Sequence, residues 1–387
     1  MTNQFPPQTK QQLLDYLNTF DPKKYAKTRN FVDGNVSRLS PYITHGVITT
    51  KECVEKIFEN HDIKSAEKFL MELVWKEFWM QVQRNYGNAF VHEAIRDDKT
   101  NIQKSDLIPE SLMNAQTDTK RVNDSVLMLQ QEWRLHNHIR MRFASRCIHR
   151  AKLDRKKLAD WTYYHFIDGE LSSNHLSRQR VNSTFANKPY FMNEWNLQKY
   201  WKWTEDHNLR GTYEKVGEKL FNPERTSPYW KESDMYDTLV TPLENIKKYC
   251  QNCLWDHTHV QILTPWKLDE QLLGNDIHTL IVLDSQFTQL HPRSQHRLDR
   301  VQQYADQYHV KFVLWDYQSI IHEAIDKGMH VTIDQRYDPI YREACDHFVE
   351  HEEVTIIDYP WIRSDNGGEP IMKFFKYWNK AKKELKQ

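Results

Sequence analysis

The feature that most limits the fold of this chain is a change of period along it. From Gln11 to about Trp203 apolar residues recur three and four apart, as in Met71, Val74, Trp75, Phe78, Trp79 and Val82, and no alternating strand pattern interrupts them. This half is expected to be helical. From about Thr204 to His259 the pattern weakens, and Gly211, Gly217, Pro223, Pro228 and Pro242 mark loops and a junction near residues 240–255. Beyond it, short apolar and β-branched runs (Val260 to Leu263, Thr279 to Leu283, Lys311 to Trp315, Val331 to Ile333, Val354 to Ile357) alternate with helix-length segments such as Arg297 to Tyr308. Strands that are apolar throughout are buried on both faces, so they predict a parallel sheet covered by helices. Met372 to Gln387 reads as a basic amphipathic helix. The expected division is residues 1–245, 255–362 and 363–387.

Composition excludes several classes. No apolar run approaches the roughly 20 residues that cross a membrane. The start, MTNQFPPQTK, lacks a basic stretch followed by an apolar one, and five cysteines cannot all pair, so a reducing, cytoplasmic setting is expected. There are 10 glycines and neither a G-x-G-x-x-G nor a G-x-x-x-x-G-K-[ST], which removes the common phosphate-cradling loops. Charge balances at 53 against 53, so bulk attraction to nucleic acid is not indicated. Locally, however, Arg134 to Asp160 holds nine basic residues against two acidic ones, which suits either a phosphate-binding face or a solvated helix surface. Cys250-x-x-Cys253 with His257 and His259 offers zinc-ligand types, but the histidine spacing is shorter than usual and no metal is expected. Cys53, Cys147 and Cys345 read as small buried hydrophobes.

Four segments carry candidate chemistry. Tyr25-Ala-Lys-Thr-Arg29 precedes Asp33-Gly34 and Ser37-Arg38-Leu39-Ser40-Pro41-Tyr42, where serine hydroxyls and backbone donors ahead of a helix suit an anion or simply cap the helix. Glu72 to Trp79 places Glu77 on an amphipathic helix. In His136-Asn137-His138-Ile139-Arg140-Met141, Asn137 and Met141 share one face, as do His136 and Arg140. Phe166-Ile167-Asp168-Gly169-Glu170-Leu171-Ser172-Ser173-Asn174 reads as a turn joining two helices. In this order and spacing, over roughly residues 25–200, the segments resemble the flavin-binding domain of the photolyase and cryptochrome family; Pro189-Tyr190-Phe191 prolongs the likeness.

The resemblance implies an α plus α/β fold: an all-helical photolyase-like FAD-binding domain followed by a smaller parallel-sheet α/β domain. It implies that Tyr25, Ser37, Leu39 and Ser40 bind the FAD phosphates, and that Asp168 pairs with Arg140 beside the isoalloxazine. Glu170 would sit at the ring's polar edge and Asn174 opposite N5. Glu77, Asn137 and Met141 would meet the substrate; apart from the resemblance, Arg142 and Arg146 of the basic run, with Arg178 and Arg180, are expected to meet DNA phosphates. Such groups set which flavin redox form is stable. The chain departs from the pattern at Met80, Arg155, Arg178 and Arg180, which stand where the family usually has tryptophans. Thr264 to Asp269, Ile281 to Asp284 and His291-Pro292-Arg293 are similar to the family's N-terminal antenna domain, here in reversed order; no residue identifies an antenna chromophore. The expected function is light-driven electron transfer from FAD to pyrimidine dimers in damaged DNA. The alternatives are a cryptochrome-like photoreceptor or redox module without repair, and a helical DNA-binding protein without flavin.

Overall fold

The structure is a computed structural model that describes residues 8–100, 102–117, 119–201, 209–222, 239–244, 246–248, 257–363 and 371–385. Cys250 and Cys253 lie outside these residues. The chain divides into two compact units, residues 1–23, 37–88 and 240–387 in the first and residues 24–36 and 89–239 in the second. This differs from the expected single break near residues 240–255, because the early helices cluster with the sheet.

The first unit holds six parallel strands, β1 (Lys247–Lys248), β2 (His259–Leu263), β3 (His278–Asp284), β4 (Lys311–Trp315), β5 (His330–Asp334) and β6 (Val354–Ile357). Their order is β1-β4-β3-β2-β5-β6, with Ile262 in register with Ile333 and Val282 with Val313. The five apolar runs read from the sequence are β2 to β6, whereas β1 falls in the stretch read as a junction. Val260, Ile262, Leu280, Val282, Val331 and Ile333 are fully buried with Tyr317, Ile320, Ile321 and Tyr341 from the covering helices. Each such side chain withdraws about 1.5–3 kcal/mol worth of apolar surface from water. Asp284 ends β3 and accepts from the backbone N–H groups of Phe287 and Tyr317, so its carboxylate caps the helix Ser285–Leu290 and also takes the first N–H of the helix Tyr317–Asp326, whose own cap is Asp316.

The same unit contains the helix Ile63–Tyr86, started by the Asp62 side chain and ended at Gly87. Its apolar surface is wide enough to bury Phe69, Leu70, Val74, Phe78, Trp79 and Met80. The C-terminal helix Phe374–Glu384 is no separate segment: Phe374 stacks flat on Trp75, with ring centroids 3.6 Å apart, and Lys382 pairs with Glu67. The turn after the short helix Ser40–Thr44 docks on the loop following β2. His45 accepts from the Leu268 N–H at 2.8 Å and donates from Nδ1 to the Pro265 carbonyl.

The second unit is helical. Its core joins Leu129, Leu135, Ile139, Phe143, Trp161, Phe166 and Val181 from the helices Lys120–Glu132, Asn137–Ser145, Arg155–His165 and Leu171–Asn182 and their links. A π-helical turn, Arg146–Arg150, continues the 137–145 helix and buries Cys147, Ile148 and His149. No helix among the described residues is long and apolar enough to cross a membrane.

Gly46 has φ +70°, and a Cβ there would lie 2.3 Å from the Trp266 carbonyl oxygen. Gly46→Ala is therefore expected to cost roughly 2–4 kcal/mol through left-handed strain and backbone displacement, read as a lowered midpoint in chemical denaturation.

Candidate functional site

The Asp168-Gly169 turn joins two helices of the second unit, and three contacts fix it. Gly169 N–H donates to the Phe166 carbonyl, Ile167 N–H donates to the Trp133 carbonyl, and Arg140 reaches across from the 137–145 helix. Arg140 Nη2 stands 2.9 Å from both Asp168 carboxylate oxygens. Its Nε donates to the Leu135 carbonyl at 2.8 Å, and its guanidinium lies 4.0 Å from the centre of the Phe166 ring. The Asp168 side chain is nearly withdrawn from water, so this charge-assisted contact is stronger than a surface pair. His136 caps the helix by accepting the His138 N–H on Nδ1, which requires a neutral ring. Burial, then the charges of Arg140, Arg134 and Arg142, lower its pKa to about 4.

Asn174 lies one turn into the next helix and is buried. Its Nδ2 donates to the Ala159 carbonyl at 2.6 Å and its Oδ1 accepts from Thr162 Oγ1 at 3.3 Å. One amide hydrogen and one lone pair remain for a ligand. Thr162 also accepts from Arg178 Nη2 at 2.9 Å, so Arg178, Thr162 and Asn174 form one hydrogen-bonded row. Glu170, also buried, occupies the N-cap position of the Leu171–Asn182 helix without capping it. Asn137 is exposed and Met141 half-buried. Tyr25 is buried, with Arg29 6.0 Å from its ring centre.

The remaining expected residues belong to the first unit. Ser37 is half-buried, Leu39 buried and Ser40 exposed. Ser40 is the first residue of its helix rather than the cap, a position held by Leu39 without a side-chain bond. Glu77 is fully buried: its Oε1 accepts from the Ile362 N–H at 2.7 Å and Thr50 Oγ1 at 3.0 Å. The expectation that Glu77 lines an open pocket is corrected, because the segment after β6 covers it and takes its oxygen.

No protein-family model matches the chain. The solved cryptochrome of Synechocystis superposes with a TM-score of 0.45 at 20% identity, over 51% of this chain and 44% of that one. The deoxyribodipyrimidine photo-lyase of Vibrio cholerae is 27% identical over 179 residues, 43% of this chain and 37% of that protein. The enzyme of the same name from Alkalihalophilus pseudofirmus is 26% identical over 260 residues, 64% of this chain and 45% of that protein. Over these stretches the chain is similar to photolyases. The matches span less than half the length of these curated relatives.

The departures from the resemblance at Arg155 and Arg178 change meaning once placed. Neither is a surface cation. Arg155 is buried and donates to the His92 carbonyl at 3.1 Å. Arg178 is buried and donates to Ser177 Oγ and Thr162 Oγ1. Two expected DNA contacts, Arg142 and Arg178, are thereby corrected: each is only 3% exposed, and helix packing turns both inward. Arg146 is half-buried and donates to Thr119 Oγ1 at 2.6 Å, and Arg180 is half-buried. The basic run from Arg134 to Lys157 is no single phosphate face. Arg134, Arg140 and Lys156 meet Glu132, Asp168 and Asp160, and Lys152 donates to the His149 and Leu220 carbonyls. Thr162, which ties Asn174 to Arg178, was not singled out in the sequence; its only signal was a small polar residue on an otherwise apolar helix face.

Burial raises the pKa of Glu77 from 4.5 to about 7. The unfolded chain releases this proton near pH 4.5 and the folded chain near 7, so the associated stability is complete below 4.5 and lost as pH rises through 7. The loss is about 3 kcal/mol. Glu77→Gln is expected to flatten this fall, so that the melting-temperature difference between variant and parent grows from pH 4.5 to 7 and then levels. A difference constant over that range would contradict the assignment.

Proposed function

We propose that the chain is an FAD-binding flavoprotein whose second unit holds the isoalloxazine and which performs light-driven electron transfer. The Arg140–Asp168 pair on the Asp-Gly turn carries the reading. It is a charge-assisted ion pair, fixed by backbone on both sides and followed one turn later by a buried amide. The donor set suits a flavin. Asp168 accepts the ring's N3–H, Arg140 keeps that carboxylate ionised and aimed, and Asn174 presents the remaining half of its amide. Ser172 Oγ and Arg178 Nε are buried polar atoms with no partner among the described residues, which fits a polar ligand nearby. When bound, the flavin supplies light absorption and electron donation. Tyr25 belongs to the same assignment, as does Glu170 at the ring's edge. The buried free thiols Cys53, Cys147 and Cys345 accord with a reducing, cytoplasmic setting.

Repair of pyrimidine dimers in DNA is the reading that the relatives' name supports. In it, exposed Asn137 and half-buried Met141, one turn apart, meet the damaged base pair, with Arg146 and Arg180 toward phosphates. A photoreceptor or redox module without repair is favoured by a specific observation: Glu77, the expected base contact, is sealed under Ile362.

Reconstitution with FAD followed by gel filtration is expected to give a yellow protein that releases FAD on denaturation. Asp168→Ala is expected to weaken retention at least about tenfold. A parent chain that stays colourless would remove the flavin reading. Incubating the chemically reduced holoprotein with dimer-containing DNA under blue light then separates the two readings: loss of dimers supports repair, and their persistence supports the photoreceptor or redox module.

A further inference from the structure

Arg178 enters the flavin reading only through its Nε, and its charge is not used there. Its guanidinium is buried, yet the described residues give it no carboxylate: Nη1 donates to Ser177 Oγ and Nη2 to Thr162 Oγ1, both at 2.9 Å, and Nε has no acceptor. Arg140, the neighbouring cation, is neutralised by Asp168. Both guanidiniums flank one ring, lying 4.0 Å (Arg140) and 6.0 Å (Arg178) from the centre of Phe166. Arg178 is four residues beyond Asn174, on the same helix face, and shares Thr162 with it. A buried charge held only by neutral hydroxyls is costly unless an anion meets it.

We infer that Arg178 is the counter-charge for the reduced, anionic flavin, and that it makes reduction of the bound cofactor more favourable. The inference rests on the flavin reading above. Uptake of two electrons and one proton leaves the isoalloxazine with one negative charge, delocalised at N1 and the C2 carbonyl. The oxidised ring is neutral, so a nearby fixed cation stabilises the reduced form selectively. Burial, then the Arg140 charge, lowers the Arg178 pKa to about 9, so the cation persists at neutral pH and an anion beside it would hold the proton more firmly. Arg178 is thus a positioning charge, standing where the family usually places an electron-relaying tryptophan.

The test is a redox titration of the FAD-reconstituted full chain with dithionite and a reference dye, comparing the parent with Arg178→Gln and Arg178→Lys. Arg178→Gln is expected to disfavour the reduced form at least about tenfold, a shift of about 30 mV to more negative potential for a two-electron couple, while Arg178→Lys retains most of the parent's potential. An unchanged potential in Arg178→Gln, or equal shifts in the two variants, overturns the inference. Should Arg178→Gln not fold, Arg178→Met removes the charge while keeping the aliphatic bulk, and the same outcomes apply. A parent chain that binds no FAD defeats the flavin reading instead, so the two failures are told apart.

Discussion

A guanidinium cannot leave water without acceptors or a counter-charge, because the desolvation penalty remains several kcal/mol per ion even after the protein relaxes. The second unit is arranged around that constraint. Arg140 satisfies it with Asp168, the Leu135 carbonyl and the face of Phe166, and these contacts tie the start of one helix to the turn between two others. The direction in which Asn174 points follows from that turn, since the helix carrying it begins three residues after Asp168. Removing either partner would leave the other withdrawn from water and unmatched, which is costlier than the pair is stabilising. The site and the local fold therefore depend on the same contact.

Strands β2 to β5 were legible because most of their residues are buried, so the sequence carries continuous apolar runs with nothing to confuse their period; β3 lies within a residue of the run read from Thr279 to Leu283. The allocation of the N-terminal helices was not legible. What draws them to the sheet is the approach of Gly46 to the Trp266 carbonyl and the bonds of His45, contacts between residues more than two hundred apart that leave no trace in local pattern. The Arg140–Asp168 pair was readable only through the resemblance, since spacing alone does not bring a helix and a distant turn together. The arginines were misread for a physical reason. A charge count treats every guanidinium as solvated, whereas Arg142, Arg155 and Arg178 fold their long aliphatic stems into the core and spend their donors on carbonyls, hydroxyls and ring faces.

The sheet has the strand order in which ligands ordinarily bind beyond the carboxyl ends, where neighbouring connections diverge. Here that place, after β2 and β5, is taken by the chain's own groups. Asp334 accepts from Thr264 through both backbone and hydroxyl, and Trp266 lies between two guanidiniums, Arg293 at 4.1 Å and Arg336 at 4.7 Å. Any chromophore would have to compete with an aromatic ring already held by cation–π contacts.

The exchange of tryptophan for arginine at Arg155 and Arg178 bears on mechanism more than on stability. An indole can lend and regain an electron; a guanidinium has no accessible oxidation and offers only a fixed positive charge and directed donors. A flavin surrounded in this way would not draw electrons along that path, so it would need a reductant from outside or another aromatic route. Its reduced state, once formed, would be held by charge. What the residues on the 155–165 and 171–182 helices would offer a bound flavin is fixed charge and directed donors, which would serve a repair enzyme and a light sensor equally.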